Sequence, residues 1–376
     1  MRPIVVLIFH AAAPDDAGPL VRTLAEARHA LAERQRVAFL AAGADVAEVV
    51  AGPPDGLAFG ERLGAAVRAR VERRGMGASP GAAIGGLIVM GSGSIPLARA
   101  ADLRRFVEAA AGPGGHALAN NLYSADVVAV SRAADLLDLP PLPADNALPR
   151  WLEERAGVTV TDLRSRWRLG VDIDTPLDLI ALGDPAGRGL HAAGPVIGER
   201  LGERLAALAG LLTNRRAELL VAGRVSTATL RWLESGVACR VRALVEERGL
   251  RAATQLAQSG ATTNSRPPRS VLGELLDRDG PEALAQIVAR LADAAVIDTR
   301  VLLAHRHGFA ESAWPAAEDR FASDLLAPLS ITDPWLRALT ESAANSPSDH
   351  PILLGGHTMV NGGLRLLAGR ARAGTR

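Results

Sequence analysis

Through its first half the chain alternates short apolar runs with amphipathic stretches, and that alternation constrains the fold more than any other feature. PIVVLIF (3–9), VAFLAAG (37–43), VAEVVAG (46–52), GGLIVMGS (85–92), ADVVAVS (125–131) and RLGVDID (168–174) read as strands. Between them PLVRTLAEARHALAER (19–34), GERLGAAVRARVERRG (60–75) and ARAADLRRFVEAA (98–110) carry apolar residues at helical spacing. Leu20, Leu24, Ala27 and Leu31 share one face of the first of these. Strands alternating with helices predict a mostly parallel sheet covered on both faces, with ligands bound beyond the carboxyl ends of its strands.

A stretch rich in Gly, Pro and Ala, GDPAGRGLHAAGP (183–195), has no periodicity and reads as a linker. Beyond it the grammar resumes. Residues 196–212 and 281–295 read as helices, and ELLVAGRVS, CRVRALVEE, AAVIDTRVLLAH and PILLGGH as strands. QSGATTNSRPPRS (258–270) reads as a loop. With 376 residues two domains are expected, 1–185 and 196–376, both α/β, the second of unassigned fold.

Charge narrows the partners. The formal net charge is +1, from 42 basic and 41 acidic residues that are interspersed, which gives no footprint for nucleic acid or an anionic membrane. There is no lysine, so anion binding falls to arginine or to backbone N–H groups. The lone Cys239 leaves no internal disulfide and no cysteine-rich zinc site. No apolar run approaches the ~20 residues of a bilayer span. A cytoplasmic enzyme or binding protein is the expectation.

In RLGVDIDTPLDLIAL (168–182) two aspartates stand two residues apart, just before a helix. In an extended segment Leu169, Val171 and Ile173 point one way and Asp172 and Asp174 the other. Thr175 as cap, Pro176 in the first turn and Asp178 at the reciprocal position explain the helix start. They do not explain Asp172. Two carboxylates on one face repel unless a cation or a donor cluster lies between them, and a divalent metal at a strand end is one such partner. Solvation, or pairing with arginine, is the other reading.

RLGVDIDTPLDL resembles the last-strand motif D-x-D-T-P-E-D-L of GT-A-fold nucleotidyltransferases, nearest the 2-phospho-lactate guanylyltransferases and related small glycosyltransferase-like proteins. DGLAFGERLGAAVRA (55–69) is similar to their G-x-L-G-E-R-[ML] helix start. GGLIVMGSGSIPLARAADLRRFVEA (85–109) is similar to V-V-L-I-G-x-D-x-P-x-L, and ALANNLYSADVVAV (117–130) stands where the family has a D-G-G-Y strand. The resemblance covers residues 1–182 and implies a GT-A, nucleotide-diphospho-sugar transferase-like domain. It also implies Mg²⁺-dependent transfer of a nucleotidyl group from a nucleoside triphosphate to a small phosphorylated or carboxylated acceptor. Asp172 and Asp174 would be the catalytic metal ligands. His10, Gly91, Ser92, Ser94, Asn120, Asn121, Tyr123, Asp145 and Asn146 would lie along the nucleotide and acceptor cleft. The sequence departs from the family at three points. Its first loop, HAAAPDDAGPL, has no basic group besides His10, Gly93 and Ser94 stand where a metal-binding aspartate is expected, and the D-G-G-Y aspartate is an asparagine.

The second half gathers polar residues at its strand ends. Asp298, His305, His307, Asp319, Asp324 and His357 form a mix of imidazole and carboxylate that suits Zn²⁺ or Mn²⁺, with His305 and His307 sharing a face if both lie on a strand. The aspartates of DRFASDL read equally well as helix caps, and GGHTMVNGG as a flexible turn. VAGRVSTATLRWLESG (221–236) has a strand–turn–helix shape whose helix start could hold a phosphate or carboxylate with help from Arg224. Besides nucleotidyl transfer, the sequence therefore admits a catalytically degenerate nucleotide- or sugar-binding protein, or a metal-assisted hydrolase or transferase acting through the second half.

Overall fold

Side chains two apart on a strand share a face, and in the first sheet both faces are apolar. Val5, Leu7, Leu87, Val89, Ala117, Ala119, Val128 and Val130 pack on one side. Val6, Ile8, Ile88, Met90, Leu118, Val127 and Ala129 pack on the other. Such a sheet needs cover on both sides. The computed structural model, which describes residues 3–52, 59–75, 85–142, 145–184, 186–187, 195–250 and 266–374, supplies it with helices. The chain divides into two compact units, residues 1–16 with 25–172, and residues 17–24 with 173–376.

The first unit holds strands β1 (Val5–Ala11), β2 (Val46–Gly52), β3 (Leu87–Gly91), β4 (His116–Ala119), β5 (Val127–Val130) and β6 (Thr159–Asp162). They run in the order β2-β1-β3-β5-β4-β6, all parallel except the reversed β5. Helices α1 (Pro19–Ala41) and α3 (Ala100–Ala111) cover one face through Phe39 and Phe106, both fully buried. Helices α2 (Phe59–Gly75) and α4 (Leu148–Glu154) cover the other through Leu63, Val67, Leu148 and Leu152. Because β2 and β3 lie on opposite sides of β1, the topology switches between β1 and β3.

Two expected strands are absent here. Val37–Ala41 of VAFLAAG closes α1, because Leu24, Ala27, Leu31, Gln35 and Phe39 continue one buried helical face into it. Residues 168–174 form no ladder either. Trp167–Gly170 closes as a 3₁₀ turn, and Asp172 makes a single antiparallel bridge to Ser94. Arg166 and Arg168 both reach the buried carboxylate of Asp102 on α3, which holds the segment as a turn.

The second unit is built on a wholly parallel sheet, β7 (Glu218–Gly223), β8 (Arg240–Val245), β9 (Ala294–Asp298) and β10 (Ile352–Gly355), in the order β10-β9-β7-β8. β8 and β9 flank β7, so this sheet switches between β7 and β9. Its helices are α5 (Pro176–Leu182), α6 (Pro195–Leu211), α7 (Thr227–Gly236), α8 (Val271–Asp279), α9 (Leu284–Ala289), α10 (Thr299–His307), α11 (Ala317–Asp324), α12 (Pro334–Ala344) and α13 (Leu364–Gly374). Thr175 caps α5, and its N–H donates to Asp178 across 2.7 Å, closing the expected capping box.

AAVIDTRVLLAH is half strand and half helix. β9 stops at Asp298, whose side chain caps α10. GGHTMVNGG is no flexible turn. After β10 the backbone turns helical at once and makes a π-turn, Met359–Gly363, that runs straight into α13. Its glycines serve packing: a Cβ at Gly355 would stand 2.9 Å from Met359 Cγ, and one at Gly363 2.7 Å from Met359 Sδ. Most of the expected linker and of the 258–270 loop lies outside the described residues. Among the described residues no helix is long and apolar enough to cross a membrane.

Candidate functional site

At the switch point of the first sheet β1 ends in His10-Ala11 and β3 runs into the loop Gly91-Ser92-Gly93-Ser94. His10 is inside the strand rather than in the loop after it, and its Nδ1 lies 3.1 Å from Ser92 Oγ, both residues buried. His10 packs at a tilt on His29, ring centroids 5.0 Å apart. Burial first, then His29 and Arg28, holds its pKa below the usual value, so the ring is neutral at pH 7. The loop is strained. Ile95, buried and β-branched, has φ +46°, a conformation that costs on the order of 1–3 kcal/mol and persists where the surroundings enforce it. Gln35 Nε2, on α1, supports the loop with a 2.5 Å bond to Ser94 O.

Asn120 ties this edge together. Its Oδ1 accepts from the N–H groups of Asp126 (2.9 Å) and Val127 (3.2 Å). Its Nδ2 donates to Leu169 O (2.8 Å) and Asp126 Oδ2 (3.0 Å). Both donors and both acceptor sites are spent inside the protein, so Asn120 braces the edge rather than facing a ligand. Asn121 accepts from the Tyr123 N–H, and Tyr123 is 62% exposed with Arg164 stacked over its ring. Asp145 and Asn146 stand in the 3₁₀ turn that leads into α4, Asn146 being buried.

The expected metal ligands Asp172 and Asp174 fall at the boundary between the two units. The division of the chain falls after Asp172, and Asp174 belongs with the second unit, where its N–H donates to Asp178 Oδ2. Asp126 is engaged by Asn120, and the Ser94 hydroxyl donates to Asp126 O at 3.3 Å. Among the described residues no three His, Cys, Asp or Glu side chains are placed to hold a metal ion.

In the second unit the charged residues cluster at the carboxyl edge of the sheet. Arg224, next after β7, grips Asp298 at the end of β9 through Nε (2.6 Å) and Nη2 (3.1 Å). Burial works against the Asp298 carboxylate, but Arg224 overrides it and, with His357 and Arg300, holds its pKa below the usual range. Arg300 on α10 makes a second fork to Asp324, 2.5 and 2.7 Å, with the aspartate fully buried. Burial alone would weaken this guanidinium's hold on its proton, and Asp324 more than reverses that. Asp178 is the third carboxyl. Its Oδ2 accepts from Asp174 N, Thr175 N and Thr175 Oγ1, while its Oδ1 is buried with no hydrogen-bond partner among the described residues. Burial first, then the charge of Asp174, pushes its pKa up to about 8.

The histidines expected to bind metal do not converge. His305 and His307 lie on a helix, where residues two apart point ~200° apart. His305 is consumed structurally, its Nδ1 accepting from Ser270 N (3.1 Å) and its Nε2 meeting Asp277 (3.0 Å). Asp319 caps no helix of its own. Its Oδ2 accepts from Thr332 N, Thr332 Oγ1 and Asp333 N, pinning the loop before α12. Asp324 is Arg300's partner, not a cap. His357 adjoins Asp298 electrostatically.

Sequence reasoning missed Asn361, in the middle of the π-turn. Its Oδ1 accepts from Ser226 N (2.8 Å), and its Nδ2 donates to Arg224 O (3.1 Å) and His357 O (2.8 Å), locking the β7–α7 turn to the end of β10. An asparagine between glycines after a strand reads as turn chemistry, and no local signal separates that from this brace. A cavity of about 400 Å³ lined by Asn214, Arg216, Asp293, Asp349 and His350 lies at the strand starts, the edge away from these groups. No protein-family model, curated protein or solved structure matches this chain.

Proposed function

We propose that the first unit is a nucleotidyltransferase-like domain of GT-A type that binds a nucleoside triphosphate or a nucleotide sugar at the carboxyl ends of β1 and β3. The observation that carries this reading is the contact of His10 with Ser92 at the switch point, and of Ser94 with Asp172 on the loop after β3, on the segments whose motifs resemble that family. The Ser92 and Ser94 hydroxyls there suit phosphate oxygens, and exposed Tyr123 offers a face for a base or sugar. Because no three His, Cys, Asp or Glu side chains among the described residues are placed to hold a metal, no step is assigned to a resident Mg²⁺, and any Mg²⁺ would arrive with the triphosphate. Nucleotidyl transfer to a small phosphorylated or carboxylated acceptor is the activity the motif order suggests. Binding without transfer is the second reading, favoured by Ser94 standing where the family carries a carboxylate.

The test is thermal unfolding with nucleoside triphosphates and nucleotide sugars, with and without Mg²⁺, followed by a pyrophosphate-release assay. A nucleotide at ~100-fold its dissociation constant should stabilise by ~2.7 kcal/mol. Stabilisation with pyrophosphate release that Asp172→Asn abolishes supports transfer, and stabilisation alone supports binding. No response to any nucleotide overturns both readings.

A further inference from the structure

We propose that the crevice outside the carboxyl ends of β7 and β9, in the second unit, binds a small oxyanion, a carboxylate or phosphoryl group, through the guanidinium of Arg224. The inference is independent of the nucleotide reading of the first unit. In open parallel sheets ligands settle where the strand order reverses, and this sheet reverses between β7 and β9. Arg224 is the first residue beyond β7 at that point.

An arginine has five N–H donors, and the fork to Asp298 uses two of them. Among the described residues no acceptor meets its Nη1 group, and the side chain is 19% exposed. Asp298, fully buried, fixes the orientation of the guanidinium and leaves its other edge open. The backbone is shaped to allow this. Gly223 has φ +124°, and a Cβ there would overlap the Cβ of Asp298, so no other residue lets β7 end so close to β9. Asn361 then pins both the Arg224 carbonyl and the Ser226 N–H from a π-turn, a distortion that recurs at functional sites.

Thr358 is an independent sign of unmet polarity at this edge. It is 2% exposed, follows His357 beyond β10, and its hydroxyl has no protein partner among the described residues. A native buried polar atom of that kind is normally satisfied by water or a ligand. The charges permit an anion. Asp298 and Asp324 are matched by Arg224 and Arg300, and Asp178, with its raised pKa, is protonated at neutral pH. The Thr227 and Ala228 N–H groups belong to the first turn of α7, which follows the Arg224–Ser226 turn directly, while Ser226 Oγ accepts from the Thr229 N–H.

The experiment follows arginine modification by phenylglyoxal in the unaltered full chain, by mass spectrometry, with inorganic phosphate or acetate. Arg240 and Arg278, exposed on the surface, serve as internal controls. Either anion should slow modification of Arg224 several-fold and leave the controls unchanged, and the more effective anion names the source of the oxyanion. Arg224→Lys, checked for folding by circular dichroism, should weaken the thermal stabilisation by that anion about tenfold or more, since a charged hydrogen bond is lost. Arg224 modified at the same rate with and without either anion, or protected only as much as the controls, overturns the proposal. So does a folded Arg224→Lys protein that responds to the anion as the parent does.

Discussion

The molecule contains two parallel-sheet edges of the same topological kind with opposite electrostatics. At β1/β3 the strand ends meet through uncharged groups, His10 against Ser92, with Asn120 bracing the Asp126 carboxylate. At β7/β9 it is ionic, with Arg224–Asp298 and Arg300–Asp324 forks sunk into the protein and a protonated Asp178 nearby. The difference shows what each edge can accept. Strand ends that meet through hydroxyls and amides offer many weak hydrogen bonds to a large polar ligand. An ionic edge with one arginine left partly unspent offers a single strong anchor to a small anion. It also makes the two edges fail differently when a residue is removed.

The largest effect should come from breaking an ion pair while leaving its partner buried. Asp324→Ala strands the Arg300 charge, and such losses cost about 3–5 kcal/mol. Denaturant unfolding of this variant should show that loss. An Arg300→Met, Asp324→Leu double variant should recover most of it, because a buried pair replaced by apolar groups is close to neutral. If the double variant is as unstable as the single one, the ionic edge contributes more than paired charges.

In the first sheet the equivalent test is Asn120→Ala, which leaves Leu169 O and the Asp126 and Val127 N–H groups without their partner. Neutral groups left unsatisfied cost about 1–3 kcal/mol, less than a stranded charge. Equal losses at Asn120 and Asp324 would erase the distinction between the edges.

How much of this was legible in the sequence follows from which signals are local. Strand-like runs marked eight of the ten strands, because burial on both faces leaves continuous runs such as VVLI and AAVI; β4, HALA, is only four residues long, and β6, TVTD, alternates exposed and half-buried residues, and neither gave such a run. The capping box at Thr175 was legible for the same reason, as its partners are three residues apart. VAFLAAG failed because an alanine-rich helix end and a short strand share composition, and only the register from Leu24 through Phe39 separates them. His305 and His307 failed because the strand was extended past Asp298, whose capping role stops it. The forks were beyond reach. Arg224 and Asp298 are 74 residues apart, and Asn361 meets Ser226 across 135. Such pairs depend on which strands become neighbours, and strand order is written nowhere in a single segment.

The gentlest test of the contrast is pH, because the two edges should respond in opposite directions. Asp178 titrates at about 8 in the folded protein, against about 4 for an aspartate in the unfolded chain. Between those values the folded state holds a proton that the unfolded state lacks. Its contribution is therefore complete below pH ~4 and lost as pH rises toward 8, at up to ~1.4 kcal/mol per pH unit. His10 has the reverse sign. Its folded pKa lies below the usual value, so under pH ~6.5 the unfolded chain binds the extra proton and stability falls on acidification. Hydrogen exchange of peptides covering β1 and α5, corrected for intrinsic rates, should show β1 losing protection toward acid and α5 toward alkali. Asp178→Asn should flatten the α5 response alone, and His10→Gln the β1 response alone. Both peptides losing protection in the same direction would mean that neither buried group governs its own edge.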